Sequence, residues 1–504
     1  MTIADPHYLL GVDIGTASSK GVLTTPDGEV VATASRTHTM SMPHPGWFEM
    51  DAEALFWREV CDLVRELVGR AGQTPVAGLC VSGLGPCLVV CDEQLRPLRP
   101  AILYGIDTRA GDQVQRLTDE LGAEQIVARC GNALSSQAIG PKLAWVREQE
   151  PQVWARTRRF YSAHSYTVAK LTGAYVLDHH TASQFDPLYD LPAHAWNDAW
   201  ARRIVGDLAL PALAWPCEPV GEIGPDAAAA TGLPAGTPVV AGTIDAWAES
   251  FSAGVRQPGD TMLMYGSTMF FVQVLDAVMS HPTLWTTSGV DRGSYTLAAG
   301  MATSGSITGW LKNLTGDAPF EQLVREAAQA PPGSDGLVLL PYFAGERTPI
   351  FDPQARGLIA GLTLSHTRGH LFRAAYEGIG YGIRQILEYL DAAAAHGTGR
   401  LVAVGGGTQG GLWTQIVSDI TGRDQQVPAQ TIGACYGDAL LAAIGTGRAS
   451  EHTDWTRIAH VVRPDARHRD RYDELYQTYT SLYPATREHM HTLATLQAAA
   501  SRAR

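Results

Sequence analysis

The first apolar stretch of the chain reads Tyr8-Leu-Leu-Gly-Val-Asp-Ile-Gly-Thr-Ala-Ser-Ser-Lys-Gly-Val-Leu23. It places an apolar strand on each side of a tight turn of glycine and short hydroxyl residues, which predicts a β-hairpin. Almost no side-chain bulk covers the tip, so the backbone N–H groups can close on phosphate oxygens. The candidate phosphate contacts of this first turn are Gly15, Thr16, Ala17 and Ser18.

A second turn of the same kind lies in the other half of the chain, in Thr261-Met-Leu-Met-Tyr-Gly-Ser-Thr-Met-Phe-Phe271. Its tip consists of Gly266, Ser267 and Thr268. A single glycine turn is more often an ordinary loop than a phosphate site. Two such turns, each entered by an apolar strand and each heading one half of the chain, predict two similar half-domains that face one nucleotide.

The length and composition agree with a soluble globular protein of two or more domains. The chain has 504 residues, of which 45% are hydrophobic and 18% charged, and its 51 acidic residues outnumber its 38 basic ones. This acidic balance argues against nucleic acid or an anionic membrane as the main partner. The seven cysteines are scattered without a C-x-x-C pair, and no run of 18 apolar residues occurs. We therefore expect a cytoplasmic protein that does not enter the membrane.

Strand and helix patterns alternate along the chain, which predicts an α/β protein with layered packing. In the first half we expect a strand over Val76–Ser82 and a partner strand over Leu88–Cys91. The domain boundary is expected near Gly254, which gives domains 1–254 and 255–504. Amphipathic helices are expected over His370–Leu390 and Gly433–Ile444, and the tail after residue 447 is expected to form outer helices.

Asp13 stands two residues before Gly15 and Thr16. A carboxylate beside a phosphate cradle would repel the ligand unless a divalent cation lies between them, so one hypothesis is a magnesium anchor that acts through water. The alternative is an aspartate that merely caps the turn. Lys20 follows the turn, and it is either a phosphate contact or an exposed strand residue.

Asp245 follows the strand and glycine of Val239–Gly242, at the place where a helix would begin. Catalytic groups of α/β proteins usually lie at such strand-to-helix junctions, at the carboxyl end of the sheet. Aspartate is also a good helix N-cap, and for this residue alone the capping interpretation is the simpler one.

A third glycine cluster, Gly405–Gly411, follows the strand Leu401–Val404 and satisfies G-x-G-x-x-G. A dinucleotide-binding unit must therefore be considered, with Asp424 as its ribose-binding acid. However, Asp424 precedes the short strand Gln425–Val427, whereas such an acid should follow a strand. A glycine platform for an adenine ring or ribose serves equally well.

At this point the residues resemble the FGGY carbohydrate kinases of the actin and hexokinase-like superfamily. One family signature is similar to Gly140–Glu148, and the other is similar to Gly357–Leu362 followed by His370–Glu377. With Asp13-Ile-Gly-Thr16, Asp245 and Gly405–Gly407 in the expected order, the resemblance covers roughly residues 8–450. It implies two actin/hexokinase-like (ribonuclease H-like) domains with a central cleft.

The resemblance also implies roles for individual residues, with ATP and Mg²⁺ as cofactors. Asp245 would be the catalytic base, and both Asp13 and Asp245 would lie at the metal. The residues that would bind the nucleotide and its phosphates are Asp13, Gly15, Thr16, Ala17, Ser18, Lys20, Gly266, Ser267, Thr268, Gly305, Gly309, Gly406, Gly407 and Gly410. One carboxylate to accept the sugar proton, together with positioning and charge stabilisation, is what phosphoryl transfer requires. The partner would be a small sugar or polyol, and family members are often homodimers.

The sugar is indicated by two further segments, His44–Trp57 and Pro341–Pro349, which are similar to stretches typical of xylulose kinases. Xylulose kinases usually carry Gln-Met-His-Gly where this chain has Leu84-Gly-Pro-Cys87, so Gly85 and Pro86 replace the substrate-contacting Met and His. Glycerol kinases have an Arg-Glu pair there, so glycerol is also poorly supported. The candidate replacement contacts are Tyr104, Asp107 and Arg109, whose alternative roles are surface-loop and salt-bridge residues.

The sequence thus predicts an ATP-dependent kinase of a small ketose or polyol, with D-xylulose as the first choice. Another ketose or sugar alcohol, such as ribulose, fuculose or erythritol, is the alternative. Two other functional classes must be distinguished from a sugar kinase. One is a non-catalytic actin-like or sugar-responsive regulator, and the other is a nicotinamide-dependent dehydrogenase that would use Gly405–Gly410.

Overall fold

A computed structural model describes residues 7–281, 283–393, 397, 399–430 and 432–502. We call the residues up to 254 the first half and those from 255 the second half. The strands of the first half are β1 (Tyr8–Ile14), β2 (Ser18–Thr24), β3 (Val30–Thr37), β4 (Glu49–Met50), β5 (Val76–Gly83), β6 (Val89–Cys91), β7 (Ala101–Ile102), β8 (Arg159–Tyr161), β9 (Val176–Asp178), β10 (Tyr189–Asp190), β11 (Ala195–Trp196), β12 (Ala212–Ala214), β13 (Pro219–Glu222) and β14 (Pro238–Val240). The strands of the second half are β15 (Thr261–Tyr265), β16 (Met269–Leu275), β17 (Trp285–Ser288), β18 (Tyr295–Met301), β19 (Val338–Leu340), β20 (Leu358–Ala360), β21 (Leu401–Val404), β22 (Gln425–Pro428) and β23 (Ile458–Val462).

Helices cover and connect these strands. Those of the first half are α1 (Glu59–Ala71), α2 (Gly111–Leu121), α3 (Ala123–Cys130), α4 (Ile139–Gln149), α5 (Pro151–Arg156), α6 (Ala163–Thr172), α7 (His179–Ala182), α8 (Asp198–Val205), α9 (Pro225–Thr231) and α10 (Asp245–Ser252), with a π-helical turn over Ala52–Arg58 before α1. Those of the second half are α11 (Gly305–Leu314), α12 (Phe320–Gln329), α13 (Arg368–Ala393), α14 (Leu412–Thr421), α15 (Ala434–Gly445) and α16 (Arg469–Arg502). None of the helices in the described part of the chain is long and apolar enough to cross a membrane.

Each half is built on one large mixed sheet with the same local plan. The first sheet has the strand order β13-β14-β5-β1-β2-β3, and the second has the order β17-β18-β16-β15-β21-β22-β23. In the first, the hairpin β1–β2 is antiparallel and β5 lies parallel to β1. In the second, the hairpin β15–β16 is antiparallel and β21 lies parallel to β15. The predicted α/β fold with two similar half-domains is confirmed.

Two helices join the sheets across the middle of the molecule. Helix α15 belongs to the second half in sequence, yet it packs on β1 and β5 of the first sheet and against α10. Only glycine permits this close packing, because a Cβ atom on Gly11 would lie 2.0 Å from the carbonyl oxygen of Cys435, and one on Gly437 would lie 2.0 Å from that of Ala248. The buried core around α10 and α15 therefore contains side chains of both halves.

Two local expectations are corrected by the structure. The segment Leu88–Cys91 does contain a strand, but β6 pairs with β8 rather than with β5, because β5 is already flanked by β1 and β14. The tail after residue 447 contains strand β23, which pairs with β22 at the edge of the second sheet, as well as helix α16. The helices expected over His370–Leu390 and Gly433–Ile444 are present as α13 and α15.

Candidate active site

The first glycine turn connects β1 to β2 and is fixed from behind. The Gly15 N–H donates to the Ser18 carbonyl at 3.1 Å. Nε2 of His38 lies 2.9 Å from the Gly15 carbonyl oxygen, and its Nδ1 lies 2.8 Å from a carboxylate oxygen of Glu59. The turn thus has one well-defined conformation, with Ala17 exposed at its tip. His38 could not be predicted from local sequence, because its contact with the turn depends on the pairing of β2 with β3.

Asp13 lies at the end of β1 and faces a cluster of carboxyl groups. It is 9% exposed. Burial and the neighbouring charges of Asp245 and Asp438 raise its pKa well above the ordinary value, whereas the charge of Lys20 acts to lower it. Lys20 is exposed on β2 directly opposite Asp13, so the two side chains project from the same face of the hairpin. A site with this excess of negative charge favours a cation.

Asp245 is positioned by the sharp turn that precedes α10. Gly242 has a φ of 73° and lies so close to β5 that a Cβ atom would stand 1.9 Å from the Val81 carbonyl oxygen, so only glycine fits there. Ile244, rather than Asp245, occupies the N-cap position of α10. Oδ1 of Asp245 accepts a hydrogen bond from the Ala246 N–H at 2.7 Å. Burial raises the pKa of Asp245 to about 6, with this hydrogen bond acting in the opposite direction.

The segment before Asp245 is held by a buried network. Thr243 donates to Oδ2 of Asp178 at 2.9 Å, and Oδ1 of Asp178 lies 2.9 Å from Nε2 of His164. Burial acts to raise the pKa of Asp178, but the hydrogen bond and charge of His164, together with contributions from His180 and Thr181, lower it overall. These three side chains are fully buried. They fix the backbone that presents Asp245.

Asp438 is a carboxylate of this site that the sequence analysis did not single out. It lies on α15, is fully buried, and its Oδ2 is 2.6 Å from the hydroxyl of Ser82. The same hydroxyl is 3.4 Å from Oδ1 of Asp13. Burial raises the pKa of Asp438 well above its usual range. A lone carboxylate in a helix of small apolar residues was the signal that could have identified it.

The second glycine turn connects β15 to β16 and is held by the start of α11. The Gly266 N–H donates to the Thr268 carbonyl at 3.2 Å, and the Gly305 N–H donates to the Gly266 carbonyl at 3.0 Å. The N–H groups of Ser304 and Ser306 both donate to the Ser267 carbonyl. The side chains of Ser267 and Thr268 are exposed at the tip. The hydroxyls of Ser267 and Thr268 are therefore accessible at the tip, and a role in phosphate binding stays a prediction.

Three of the other predicted nucleotide glycines border open space. A Cβ atom on Gly309, Gly406 or Gly410 would meet no protein atom within 4 Å, whereas one on Gly407 would lie 2.6 Å from the ring of Trp413. Asp424 stands before β22, whose parallel partner β21 leads into the glycines. Asp424 and the glycines are therefore at opposite ends of these strands, which argues against a dinucleotide unit.

Tyr104 links the candidate sugar pocket to the first turn. Its hydroxyl lies 3.3 Å from Oγ1 of Thr16. A Cβ atom on Gly85 would lie 3.4 Å from the Tyr104 ring, so the tyrosine covers the position where Gly85 has no side chain. The carbonyl groups of Leu103 and Tyr104 both accept hydrogen bonds from Nζ of the buried Lys142, at 2.6 and 3.0 Å. Pro86 is buried beside Gly85.

Asp107 and Arg109 form a buried ion pair. Nη2 of Arg109 donates to Asp107 at 2.8 Å and Nη1 donates to Glu49 at 2.7 Å. Asp107 also accepts from the Phe48 N–H at 2.7 Å, and the guanidinium lies 4.3 Å from the ring centre of Trp47. Both of these bonds to Asp107 go to Oδ2, and its Oδ1 accepts from the backbone N–H and Nε of Arg109. The contacts favour the salt-bridge interpretation, so a sugar contact by this pair stays a prediction.

Two domain models of one protein family match this chain. The N-terminal domain of the FGGY family of carbohydrate kinases matches residues 8–252, and the C-terminal domain of that family matches residues 262–446. This chain belongs to the FGGY family of carbohydrate kinases. It is therefore an enzyme that phosphorylates a sugar-type substrate with ATP and Mg²⁺, which excludes both the regulator and the dehydrogenase as its primary function.

Individual relatives agree with the family. The chain is 30% identical to a xylulose kinase of Klebsiella pneumoniae, over 90% of each chain, and 25% identical to a gluconokinase of Bacillus subtilis, over 88% of each. Among solved structures, the xylulose kinase of Rhodospirillum rubrum is 34% identical and superimposes with a TM-score of 0.89, over 96% of this chain and 100% of the other.

The residues at the first turn suit Mg²⁺. This ion prefers carboxylate oxygens, water and phosphate oxygens, and Asp13 and Asp245 supply two carboxylates in a strongly acidic environment. Among the described residues no three His, Cys, Asp or Glu side chains form a ready-made metal site. The two carboxylates would therefore share the ion with water and the phosphates of ATP.

Proposed function

We propose that this kinase transfers the terminal phosphoryl group of ATP to a hydroxyl of D-xylulose, giving D-xylulose 5-phosphate, with Asp245 as the base. The observation that carries the proposal is the carboxylate of Asp245 beside Asp13, with a pKa of about 6. Such a carboxylate is ionised at neutral pH yet basic enough to accept a proton in the transition state. The domains are proposed as residues 1–254 and 255–504, with the sugar and ATP meeting between them.

In the reaction the sugar oxygen attacks the terminal phosphorus. A P–O bond to the sugar forms, the P–O bond to the bridging oxygen breaks, and the proton of the sugar hydroxyl passes to Asp245. Asp13 and Asp245 would hold Mg²⁺, which offsets the charge of the phosphates. The N–H groups and hydroxyls of the two glycine turns, with Lys20, would orient the phosphates, because phosphoryl transfer depends on positioning and charge stabilisation.

The nucleotide would lie along the second half. The turn at Gly266–Thr268 would bind phosphates, and Gly305, Gly309, Gly406, Gly407 and Gly410 would face the rest of ATP. This assignment is supported by the open space above Gly309, Gly406 and Gly410. It is also supported by the start of α11, where Ser304 and Gly305 fix the phosphate turn.

D-xylulose is the first choice because the relatives named above include two xylulose kinases that match most of this chain. A different ketose or sugar alcohol is the second candidate, and it rests on Gly85 and Pro86. Neither residue offers a polar side-chain group to the sugar, so Tyr104 would replace the missing contact. Sites that hydrogen-bond a substrate hydroxyl discriminate strongly, so this replacement can change the preferred sugar.

The deciding experiment is an ADP-release assay with Mg²⁺ and ATP across ketopentoses, ketohexoses, gluconate, pentitols, erythritol and glycerol. We expect the highest kcat/KM with D-xylulose. Without Mg²⁺ we expect no ADP release with any acceptor. A higher kcat/KM for another ketose or polyol would replace D-xylulose by that sugar. A wild-type protein that folds and binds ATP but phosphorylates no acceptor of the panel would contradict the proposal.

Two further expectations remain predictions. A cytoplasmic location can be tested by fractionation of the source cells. A homodimer can be tested by light scattering of the purified protein.

A further inference from the structure

One arginine of the second half has a position that the proposed roles do not explain. Arg347 lies in the connection between β19 and β20, in a loop closed by two backbone hydrogen bonds between Glu346 and Asp352, at 2.8 and 2.9 Å. The loop docks on the end of β18, because the Thr348 N–H donates to the Gly300 carbonyl at 3.1 Å. Nη2 of Arg347 donates to the Met301 carbonyl at 2.9 Å.

The loop presents Arg347 rigidly. One carboxyl oxygen of Glu346 accepts from the N–H groups of Ala302 and Arg347, at 2.7 and 2.8 Å. Burial raises the pKa of Glu346 to about 8, which disfavours a negative charge on this group beside the arginine. At the other end of the loop, Asp352 accepts hydrogen bonds from Tyr483 at 2.6 Å and from His491 at 2.7 Å, both on α16.

The guanidinium has unused binding capacity. In the part of the chain that the structure describes, the Met301 carbonyl is the hydrogen-bond partner of the Arg347 guanidinium, and no carboxylate lies within ion-pair distance of it. Arg347 is exposed to solvent, yet protein surrounds it closely enough to lower its pKa. Both facts fit a side chain that is accessible to solvent between walls of protein, with most of its donors free.

Arg347 also lies between the two parts of the proposed reaction. Its partner Met301 is three residues before Ser304, which holds the second phosphate turn through Ser267. On the other side it is close enough to Tyr104 for each charge to influence the other's ionisation. Tyr104 in turn contacts Thr16 of the first turn.

We propose that Arg347 binds the phosphoryl group while it passes from ATP to the sugar. The proposal rests on the proposed function. A planar guanidinium with free donors suits phosphate oxygens, and it supplies positive charge where carboxylates dominate. The bond changes are those of the proposed transfer, and Arg347 neither gains nor loses a proton. Its contribution is to stabilise the charge that develops on the equatorial oxygens.

The test compares Arg347→Ala and Arg347→Lys with Arg356→Ala, a matched control. Arg356 lies in the same connection, but its guanidinium bonds Gln497 and the carbonyl groups of Pro353 and Ala355. We expect kcat of the Arg347→Ala variant to fall about 10²–10³-fold, which is the usual effect of removing a donor to a developing negative charge. The KM for the sugar and the affinity for ADP should stay near the wild-type values. Lysine should restore part of kcat, as should free guanidinium ions.

A second measurement separates catalysis from structure. ADP, Mg²⁺, sugar and vanadate should form a tight complex with the wild-type enzyme and a much weaker one with Arg347→Ala. A kcat near the wild-type value, or a rise in sugar KM alone, would overturn the role of Arg347 while leaving the kinase assignment intact. Loss of activity explained by a lower Tm and not restored by guanidinium would also overturn it. A wild-type enzyme without activity on any acceptor would instead remove the proposed function, and the inference with it.

Discussion

The hairpins β1–β2 and β15–β16 end in turns of similar backbone but opposite chemical character. Gly15 donates to Ser18 at 3.1 Å in the first, and Gly266 donates to Thr268 at 3.2 Å in the second. Two residues before its turn glycine, the first hairpin has Asp13 opposite Lys20. At the corresponding place the second has Met264 opposite Phe270, which is an apolar pair.

The surroundings of the turns extend this difference. Besides burial, the neighbouring carboxyl groups of Asp245, Asp438 and Glu249 raise the pKa of Asp13. The second turn is held instead by backbone groups of Ser304, Gly305 and Ser306. In the proposed mechanism the charged hairpin therefore serves the metal and the proton, and the neutral hairpin binds phosphate oxygens. Two hairpins of similar backbone can thus take different roles, one in catalysis and one in phosphate binding, because a few side chains differ.

The largest effect is expected for Asp245→Asn, which removes the proposed base beside the first turn. Loss of the base should lower kcat about 10²–10⁴-fold, equivalent to roughly 3–5 kcal/mol in activation free energy. Asparagine keeps the hydrogen bond from the Ala246 N–H, so the fold and the Tm should be retained. Steady-state kinetics with the preferred sugar would measure the effect.

The control for that variant is Asp424→Asn, whose exposed side chain lies before β22 and should leave kcat unchanged. In the wild-type enzyme kcat/KM should fall as the pH drops below about 6, because protonated Asp245 cannot accept the sugar proton. A variant Asp245→Asn that keeps more than a tenth of wild-type kcat would exclude this residue as the base.

The matching test at the neutral turn is Gly305→Ala. A Cβ atom at this position would lie 2.6 Å from the Gly266 carbonyl oxygen, so the turn must shift. Overpacking of this kind costs about 1–3 kcal/mol, and about 1.4 kcal/mol expressed in ATP binding raises the KM for ATP tenfold. The KM for the sugar should be unaffected.

Gly111→Ala is the control for this variant. Gly111 also begins a helix, α2, but a Cβ atom there meets no protein atom within 4 Å. Its KM for ATP should equal that of the wild type. If Gly305→Ala lowered the Tm without changing the KM for ATP, the second turn would not bind the nucleotide.

Local patterns predicted the parts of the site that are made by neighbouring residues. Both glycine turns, the junction at Asp245 and the glycine platform after β21 follow from short stretches in which strand, glycine and polar residue are adjacent. The long helix α13 follows from its apolar period. These features need no knowledge of distant contacts.

The features that the sequence did not predict depend on distant contacts. Asp438 joins the site because α15 crosses to the first sheet, and His38 joins it because β3 pairs with β2. Asp107 and Arg109 were considered as sugar contacts, but Glu49 and Phe48 complete their polar contacts. A single sequence shows which residues carry charge but not which partners satisfy that charge.

The smallest expected effect is on the free energy of unfolding, which the buried carboxyl group of Asp438 near the first turn lowers at neutral pH. The variant Asp438→Asn tests this effect. The folded-state pKa of Asp438 is raised by burial, so the folded protein holds a proton that the unfolded chain releases above about pH 4. Stability from this group is therefore present at low pH and is lost as the pH rises from the unfolded pKa towards the folded one. Asparagine releases no proton, and its amide oxygen can still accept the hydrogen bond from Ser82. The variant should therefore have a higher Tm than the wild type at pH 8 and the same Tm at pH 4. Each kcal/mol gained in the free energy of unfolding should raise the Tm by about 2–4 °C.

Asp465→Asn should behave in the opposite way, because hydrogen bonds from Arg467 hold the pKa of this surface carboxylate below its usual range. Its variant should have an unchanged or lower Tm at pH 8. A lower Tm of Asp438→Asn at pH 8 would mean that Asp438 is ionised in the folded protein and paired with a cation. The negative charge at the first turn would then stabilise the folded protein, and the contrast between the two turns would lie in catalysis alone.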